Sequence, residues 1–481
     1  MTALSATDPA HAHHHLKHRK LLASGVVGSS IEWYDFFLYG TAAALVFPHV
    51  FFPSEGPLVA TLLSFATFWA GFIARPLGGV IAGHYGDKLG RKPVVVVSLI
   101  VMGAATFVIG CLPGAGSIGL VAPIALGLCR FAQGLAAGGQ WGGLALLLTE
   151  SAGPKNRAYS GSFNQIGVPA GAFLGNVVFI AATYALTQEQ FIAWGWRIPF
   201  WFTAVLFPVV LFIHHKVEDS PEFRELEKKT SEAESHIVKA PLWVAVKKHW
   251  KTILLGCGLL ASTNCIFCIS IAGVLSYGAN YLGLDRTHML IAGALACVVG
   301  IVTTPLLALW SDRIGRRPVI IFGGAGIFLF VPIYFMLINT GNIFLFGVAV
   351  CVSSVFQCAV YAPLAAYLGE LFEPEVRFSG ASLAYQLAAI LISGATPILM
   401  TSLIASSGTT HGVTVMVMIM GVITVVSAVL LKETNPKWVR QDPNAVPGEF
   451  LYEQKSVETP AHRQVSREDA EPAAQPRQSS L

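Results

Sequence analysis

Runs of about 20 apolar residues recur through most of the chain, separated by short polar turns, and that spacing leaves little choice of fold. A helical run of this length matches a hydrocarbon core of about 30 Å. Inside lipid no water satisfies backbone groups, so a lone segment must satisfy its own by becoming a helix. Twelve such runs are predicted, near 21–47, 58–83, 94–112, 119–149, 158–184, 197–215, 252–282, 288–310, 319–338, 343–369, 378–403 and 411–431. A soluble helical protein is excluded by charge. Of 481 residues 54% are hydrophobic and only 12% charged, against roughly 25% in an average soluble protein, too few to cover a surface of this size. The expectation is an all-α integral membrane protein with twelve transmembrane helices.

Orientation follows from the basic residues. The net charge is only +4, but the placement of charge is lopsided. Lys17, Arg19 and Lys20, Lys88, Arg91 and Lys92, Lys155 and Arg157, the central loop, Arg313, Arg316 and Arg317, Arg377 and the C-terminal tail all fall on one set of alternate segments. Arg197 and Arg286 fall on the other set, and Arg75 and Arg130 lie within runs. By the positive-inside rule both termini are cytoplasmic. The polar, His-rich start (His11, His13, His14, His15, His18) is expected to be a mobile tail without a cleavable signal peptide. Residues 1–20 and 432–481 are read as disordered cytoplasmic tails. Residues 216–251 are read as a cytoplasmic linker, with Ser220 as N-cap, Pro221 in the first turn and charges of alternating sign from Glu222 to Lys229.

The chain also repeats itself. Gly83-x-x-x-Asp87-Lys88-x-Gly90-Arg91-Lys92 is echoed by Ala308-x-x-x-Asp312-Arg313-x-Gly315-Arg316-Arg317, with Pro93 and Pro318 following. A second echo pairs Glu150, Arg157, Ser160-Gly161 and Gln165 with Glu370, Arg377, Ser379-Gly380 and Gln386. Nearly the same offset separates both pairs of motifs, so the chain reads as two related halves, 21–215 and 252–431. Such internal duplication marks many secondary transporters.

These paired loops resemble those of the major facilitator superfamily, which has served as an example of repeat-built transporters. Glu32-Trp33-Tyr34-Asp35-Phe36-Phe37-Leu38-Tyr39-Gly40, Arg75-Pro76-Leu77-Gly78-Gly79, Arg130-Phe131-x-Gln133-Gly134 and Gly138-Gly139-Gln140-Trp141-Gly142-Gly143 narrow the resemblance. Together they look like its metabolite:proton symporter branch, whose members carry organic acids or betaine-type solutes. The resemblance spans roughly residues 18–435. It implies two pseudo-symmetric six-helix bundles and alternating access. One position departs from it: similar proteins commonly carry Glu where this chain has Gln140, which cannot titrate, so the proton stoichiometry is open.

Charges within a bilayer are costly and point to function. Glu32 and Asp35 share one face of the first helix and lie about 18–23 Å into the membrane, with Arg130 at about 17 Å on the fourth helix. A carboxylate–guanidinium pairing there is expected, with Asp35 as proton carrier, Glu32 as second candidate and Arg130 as the group that senses an anionic substrate; a permanent ion pair is the structural alternative. Arg75 is expected nearer the cytoplasmic side, either on the substrate path or stabilising a kinked helix. Tyr34, Gln133, Gln140, Asn164, Gln165, Asn264, Tyr277, Gln357, Tyr361, Tyr385 and Gln386 are further candidates for cavity contacts, with interhelical hydrogen bonding as the alternative for each. The repeated loops are expected to act as a cytoplasmic gate. As the resemblance and helix-end electrostatics imply, Asp87 would sit against the start of the eleventh helix and Asp312 against the fifth, with Arg91–Glu150 and Arg316–Glu370 ion pairs.

The eight cysteines lie in or beside apolar runs, and Cys265-x-x-Cys268 reads as packing rather than a metal or redox pair. No nucleotide-binding glycine loop, nucleophile–base set or metal-ligand spacing is evident, which argues against an enzyme, a resident cofactor or ATP-driven transport. The expected function is import of a small polar metabolite, in all expectation a carboxylate, by proton symport across the cytoplasmic membrane, as a monomer whose partners are solute, protons and lipid, not nucleic acid. The alternatives are a betaine- or proline-type zwitterion symporter, a drug/proton antiporter and a non-transporting solute sensor. The order Gly167-Val168-Pro169-Ala170-Gly171 in the fifth run argues against the antiporter.

Overall fold

The computed structural model describes residues 9–89, 91–138, 149, 156–206, 242–373 and 376–434; at 9–25, 83–84, 86–89, 91–93, 95, 188, 242–245 and 378 it describes the backbone path alone. The described residues are helical, with short connections. The helices are α1 (Pro9–Leu45), α2 (Pro57–Leu89), α3 (Arg91–Cys111), α4 (Val121–Gly138), α5 (Arg157–Ala185) and α6 (Ile198–Trp201). After the central segment come α7 (Val246–Asn280), α8 (Arg286–Ile314), α9 (Arg316–Asn339), α10 (Ile343–Glu370), α11 (Ser379–Ser407) and α12 (His411–Leu430). Nine helices among the described residues are long and apolar enough to cross a membrane. Of the other expected spans, α1 is polar at its start, the apolar part of α3 is the shorter Val96–Cys111, and most of the sixth run lies outside the described residues. So do the expected linker at 216–241 and the tail beyond 434.

The apolar positions divide by face. Phe36, Phe37, Phe65, Phe68 and Ile269 are buried, whereas Leu128, Val298, Leu329, Met336 and Val429 project outward. A soluble protein would bury or break up such a belt; a hydrocarbon surrounding accepts it. Polar caps mark helix starts. Asp285 accepts a hydrogen bond from the backbone N–H of His288 at 3.0 Å at the start of α8. Asn342 accepts from Phe344 and Leu345 at the start of α10. The reversal between α8 and α9 turns on Gly315, whose φ of +111° suits glycine alone. Glu433, just past α12, accepts from the N–H groups of Arg316 and Arg317 at 2.9 Å each and so caps α9.

Helix packing repeats along the chain. In the first half α1 packs on α5, α2 on α4, α3 on α4 and α3 on α6. In the second half α7 packs on α11, α8 on α10, α9 on α10 and α9 on α12, the same pairs six helices later. Cross-contacts obey the same exchange: α2 meets α11, and α8 meets α5. Two helices leave regular geometry, α7 through a π-helical turn at Ile269–Gly273 and α11 through another at Ala389–Gly394. Such turns mark functional sites in many proteins, and both lie beside the central cavity described next.

Candidate functional site

The first helix sends different faces to different neighbours. Glu32, Asp35, Phe36 and Tyr39 recur at helical spacing, so they form one stripe. Glu32, Asp35 and Phe36 line a small cavity with Gly71 and Arg75 of α2, Met102 of α3, and Arg130, Gln133, Gly134 and Ala137 of α4. A second, larger cavity opens where the halves meet. Its walls are Trp33, Phe36, Phe72, Arg75 and Val168 from the first half, and Thr263, Asn264, Phe267, Gln357, Tyr361, Tyr385, Ala389 and Ser393 from the second. Phe36 and Arg75 belong to both.

In the smaller cavity Asp35 and Arg130 are joined through an intermediary. Gln133 Nε2 donates to Asp35 Oδ1 at 3.0 Å, while Arg130 Nη1 donates to Gln133 Oε1 at 3.1 Å. The amide thus gives to the carboxylate and takes from the guanidinium. The Thr106 hydroxyl also lies against Asp35 Oδ1, and it accepts from Gln133 Nε2 at 2.8 Å. The expected direct Asp35–Arg130 pair is therefore corrected to a bridged one. Thr106 was not foreseen; its signal is a hydroxyl in the apolar third run, which holds one other, Ser98. Arg130 is held in a box of rings, with Cζ 4.3 Å from the Tyr39 centroid, 5.2 Å from Phe68 and 5.3 Å from Phe36, close enough for cation–π attraction. Glu32 lines the same cavity but has no hydrogen bond or ion pair among the described residues.

Arg75 is only 7% exposed and also has no hydrogen bond or ion pair among the described residues. Its Cζ stands 5.3 Å from the centroids of Phe36 and Phe72 and 5.9 Å from that of Trp33. Of its two expected places, the structure puts it in the cavity wall. Across the larger cavity the second half supplies uncharged polar groups. Tyr361 Oη and Tyr385 Oη are 3.4 Å apart, and Asn264, Gln357 and Ser393 stand beside them. The aromatic wall of Trp33, Phe36, Phe72 and Phe267 was not singled out from sequence, because aromatics are common in any membrane helix.

Several candidates lie elsewhere. Tyr34 is corrected: it sits about 100° around α1 from Asp35, and its hydroxyl donates to the Pro199 carbonyl at 2.7 Å, away from both cavities. Tyr277 is corrected too, since it donates to Asn339 Oδ1 at 3.0 Å and stacks on Tyr281. Gln165 is fully buried and donates to the Tyr361 carbonyl at 3.3 Å, tying α5 to α10. Asn164 and Gln386 are buried and line neither cavity. Gln140 and Glu150 lie outside the described residues.

At the face where α1 begins, the second copy of the repeated loop forms a closed network. Asp312, at the end of α8, accepts from the backbone N–H groups of Ala158 and Tyr159 at 3.1 and 2.9 Å. These are unpaired donors in the first turn of α5, at the positive end of its dipole. Arg316 donates to Asp312 at 2.5 Å and to both oxygens of Glu370 at 3.4 and 3.3 Å. Thr434 donates to Glu370 at 2.5 Å. For the first copy only the backbone of Asp87 and Arg91 is described, within α2 and α3.

The profile of the sugar (and other) transporter family matches residues 22–435. The inner membrane metabolite transport protein YhjE of Escherichia coli (strain K12) is 40% identical over 383 residues, which cover 79% of this chain and 86% of that protein. The shikimate transporter of the same organism is 36% identical over 430 residues, 86% of this chain and 95% of the relative. A proline/betaine transporter of Salmonella typhimurium (strain LT2) is 32% identical over 423 residues, 87% and 84%. Among solved structures, the major facilitator superfamily proton:xylose symporter XylE superposes with a TM-score of 0.65 at 15% identity, covering 87% of this chain and 97% of that one. This likeness concerns the fold. The protein is a multi-pass membrane transporter rather than an enzyme, and it belongs to the sugar (and other) transporter family of the major facilitator superfamily.

Proposed function

We propose that the protein imports a small polar carboxylate by proton symport, with two six-helix bundles rocking about the central cavity. One observation carries the reading. Arg75 is a buried guanidinium without a hydrogen bond or ion pair among the described residues, and it faces the cavity between the halves. A charge in such a place is costly unless compensated, and a carboxylate matches its planar fork of donors. The facing amides and hydroxyls of Asn264, Gln357, Tyr361, Tyr385 and Ser393 suit a solute that also carries hydroxyl or carbonyl groups. The kinship with a shikimate transporter supports this choice.

The zwitterion reading has the proline/betaine relatives in its favour, but the cavity weighs against it. A quaternary ammonium seeks open aromatic faces, and those of Trp33, Phe36 and Phe72 already carry the Arg75 guanidinium. A second cation there meets repulsion.

The placement of basic residues supports a cytoplasmic-membrane protein with both termini inside, so the Asp312 network closes the cytoplasmic side and breaks as the carrier opens inward. No cofactor beyond the proton gradient is needed, and one chain suffices to form the cavity. The test is uptake by the purified protein in proteoliposomes of labelled shikimate, proline and glycine betaine, with and without an inward proton gradient. Gradient-driven accumulation of shikimate is expected. Accumulation of the zwitterions in its place would overturn the assignment of substrate class.

A further inference from the structure

We propose that Glu32, rather than Asp35, is the carboxylate that takes up the transported proton, and that Arg75 switches its charge compensation from Glu32 to the substrate carboxylate. The inference rests on the carboxylate-carrier reading and deepens it.

Three observations separate the two acids. First, Asp35 is already provided for. It accepts from Gln133 and Thr106, and Gln133 links it to Arg130. Arg130 in turn lies among the rings of Tyr39, Phe68 and Phe36 and packs over Gly71, where an added Cβ would be 2.6 Å from its Nε. The carboxylate and guanidinium of this bridged pair sum to zero. Neither has cause to change charge when solute arrives.

Second, Glu32 lines the smaller cavity and Arg75 lines both cavities, yet neither holds a hydrogen bond or ion pair among the described residues. Within this four-charge group Asp35 and Arg130 are bridged through Gln133, whereas Arg75 stands against the rings of Phe36, Phe72 and Trp33. Third, among the described residues the groups that face Glu32 are few: Asp35 one turn along α1, Arg75 of α2, Arg130 of α4 and the Tyr385 hydroxyl of α11. With the Asp35–Arg130 pair neutral and the Tyr385 phenol uncharged, Arg75 is left to balance Glu32.

Charge accounting then yields coupling. In the empty carrier Glu32 is ionised, Arg75 is cationic and their sum is zero. With substrate alone the sum is minus one; with a proton alone it is plus one. With both, protonated Glu32 is neutral, the substrate carboxylate sits on Arg75, and the sum is again zero. Net charge in a low-dielectric interior is disfavoured, so the empty and doubly loaded carriers are the forms that reorient. The proton comes from water on the entry side, adds to one Glu32 oxygen, and leaves to water on the exit side once the anion has departed. One proton therefore moves with each monoanion, and the cycle carries no net charge.

The experiment uses the full chain in proteoliposomes with radiolabelled shikimate as the monoanion probe. Wild-type uptake should follow the proton gradient and be indifferent to a potassium diffusion potential set at zero proton gradient. In Glu32→Gln, shikimate should still bind, since Arg75 is intact, and labelled-for-unlabelled exchange should persist, because the loaded carrier stays neutral. Gradient-driven accumulation should be lost. Calorimetry in buffers of different ionisation enthalpy supplies a second reading: the wild type and Asp35→Asn should take up one proton per anion bound, and Glu32→Gln none. Should Glu32→Gln fail to fold, the wild-type and Asp35→Asn measurements still decide. Accumulation retained in Glu32→Gln, proton uptake lost in Asp35→Asn, or wild-type uptake driven by an inside-negative potential each overturns the inference while leaving a carboxylate carrier. Absence of wild-type binding and uptake of shikimate and every other acid tried would overturn both.

Discussion

Helices α2 and α4 bring their backbones into contact, and that crossing sets a sharp test at Gly134. A Cβ added there would lie 2.1 Å from the Gly71 carbonyl oxygen and 2.8 Å from Ala74 Cβ. The same crossing recurs one and two turns along: a Cβ on Gly78 would be 1.9 Å from the Leu135 oxygen, and one on Gly138 1.9 Å from the Arg75 oxygen. Ordinary contact begins near 3.4 Å, so a methyl at Gly134 forces the helices apart by about 1.3 Å. The obstacle is helix backbone, which no rotamer change can relieve. Overpacking costs about 1–3 kcal/mol, and a backbone clash belongs at the upper end; the better helix propensity of Ala returns about 1 kcal/mol. Gly134→Ala should therefore lose about 2 kcal/mol. Gly127 is the control on the same helix, since a Cβ there meets nothing within 4 Å, and Gly127→Ala should match the wild type or gain up to about 1 kcal/mol. The assay is thermal or denaturant unfolding of the purified variants side by side in one detergent. Because Gly71 and Gly134 both line the Glu32–Asp35 cavity, Gly134→Ala should also transport poorly at temperatures where it remains folded. A Gly134→Ala protein as stable as Gly127→Ala would refute the account of this crossing.

Three further outcomes follow from the site. Arg75→Gln should weaken carboxylate binding by roughly 10–150-fold, the equivalent of a charged hydrogen bond of about 1.5–3 kcal/mol, as read by titration calorimetry. Its stability should fall, because the change removes contact with three rings and leaves the Glu32 carboxylate without its balancing charge. Asp312→Asn weakens the seat on the first turn of α5 and one partner of Arg316, so exchange rates should fall while the dissociation constant for substrate holds, measured by counterflow against equilibrium binding. Tyr34→Phe gives up the hydrogen bond to the Pro199 carbonyl and should cost about 1 kcal/mol of stability with KM unchanged, since Tyr34 lines neither cavity.

What could be read from sequence was whatever depends on period and position along one segment. The apolar runs predicted the helices because membrane length and backbone satisfaction act on each run separately. The Asp312–α5 seat was expected from the resemblance together with the affinity of a carboxylate for unpaired N–H groups at a helix start. Relations between helices were harder. Gln133 stands three residues after Arg130, which puts both on one face, but its insertion between Arg130 and Asp35 depends on how α1, α3 and α4 converge, as does the arrival of Thr106. Tyr34 shows the opposite failure. It belongs to the same motif as Glu32 and Asp35, yet a helix turns about 100° per residue, so sharing a motif is no warrant for sharing a face. The glycines of Arg75-Pro76-Leu77-Gly78-Gly79 and Arg130-Phe131-x-Gln133-Gly134 were visible as motif letters, while their meaning, two backbones in contact, appears only when α2 and α4 are seen together.

The charges and the flexible elements fall on opposite sides of the central cavity. Among the described residues the mid-membrane charges Glu32, Asp35, Arg75 and Arg130 all come from the first half, where α2 and α4 are locked at glycine crossings. The second half offers uncharged amides and hydroxyls, and it holds the two π-helical turns, at Ile269–Gly273 and Ala389–Gly394. The second of these is clasped by α2: Trp69 Nε1 donates to the Ile390 carbonyl at 2.9 Å, and a Cβ on Gly394 would run into the same indole. A π turn leaves a wider ring of backbone that can tighten or open without breaking a helix. On the proposed carboxylate reading the first half would handle charge, while the uncharged wall of the second half would read the outline of the solute.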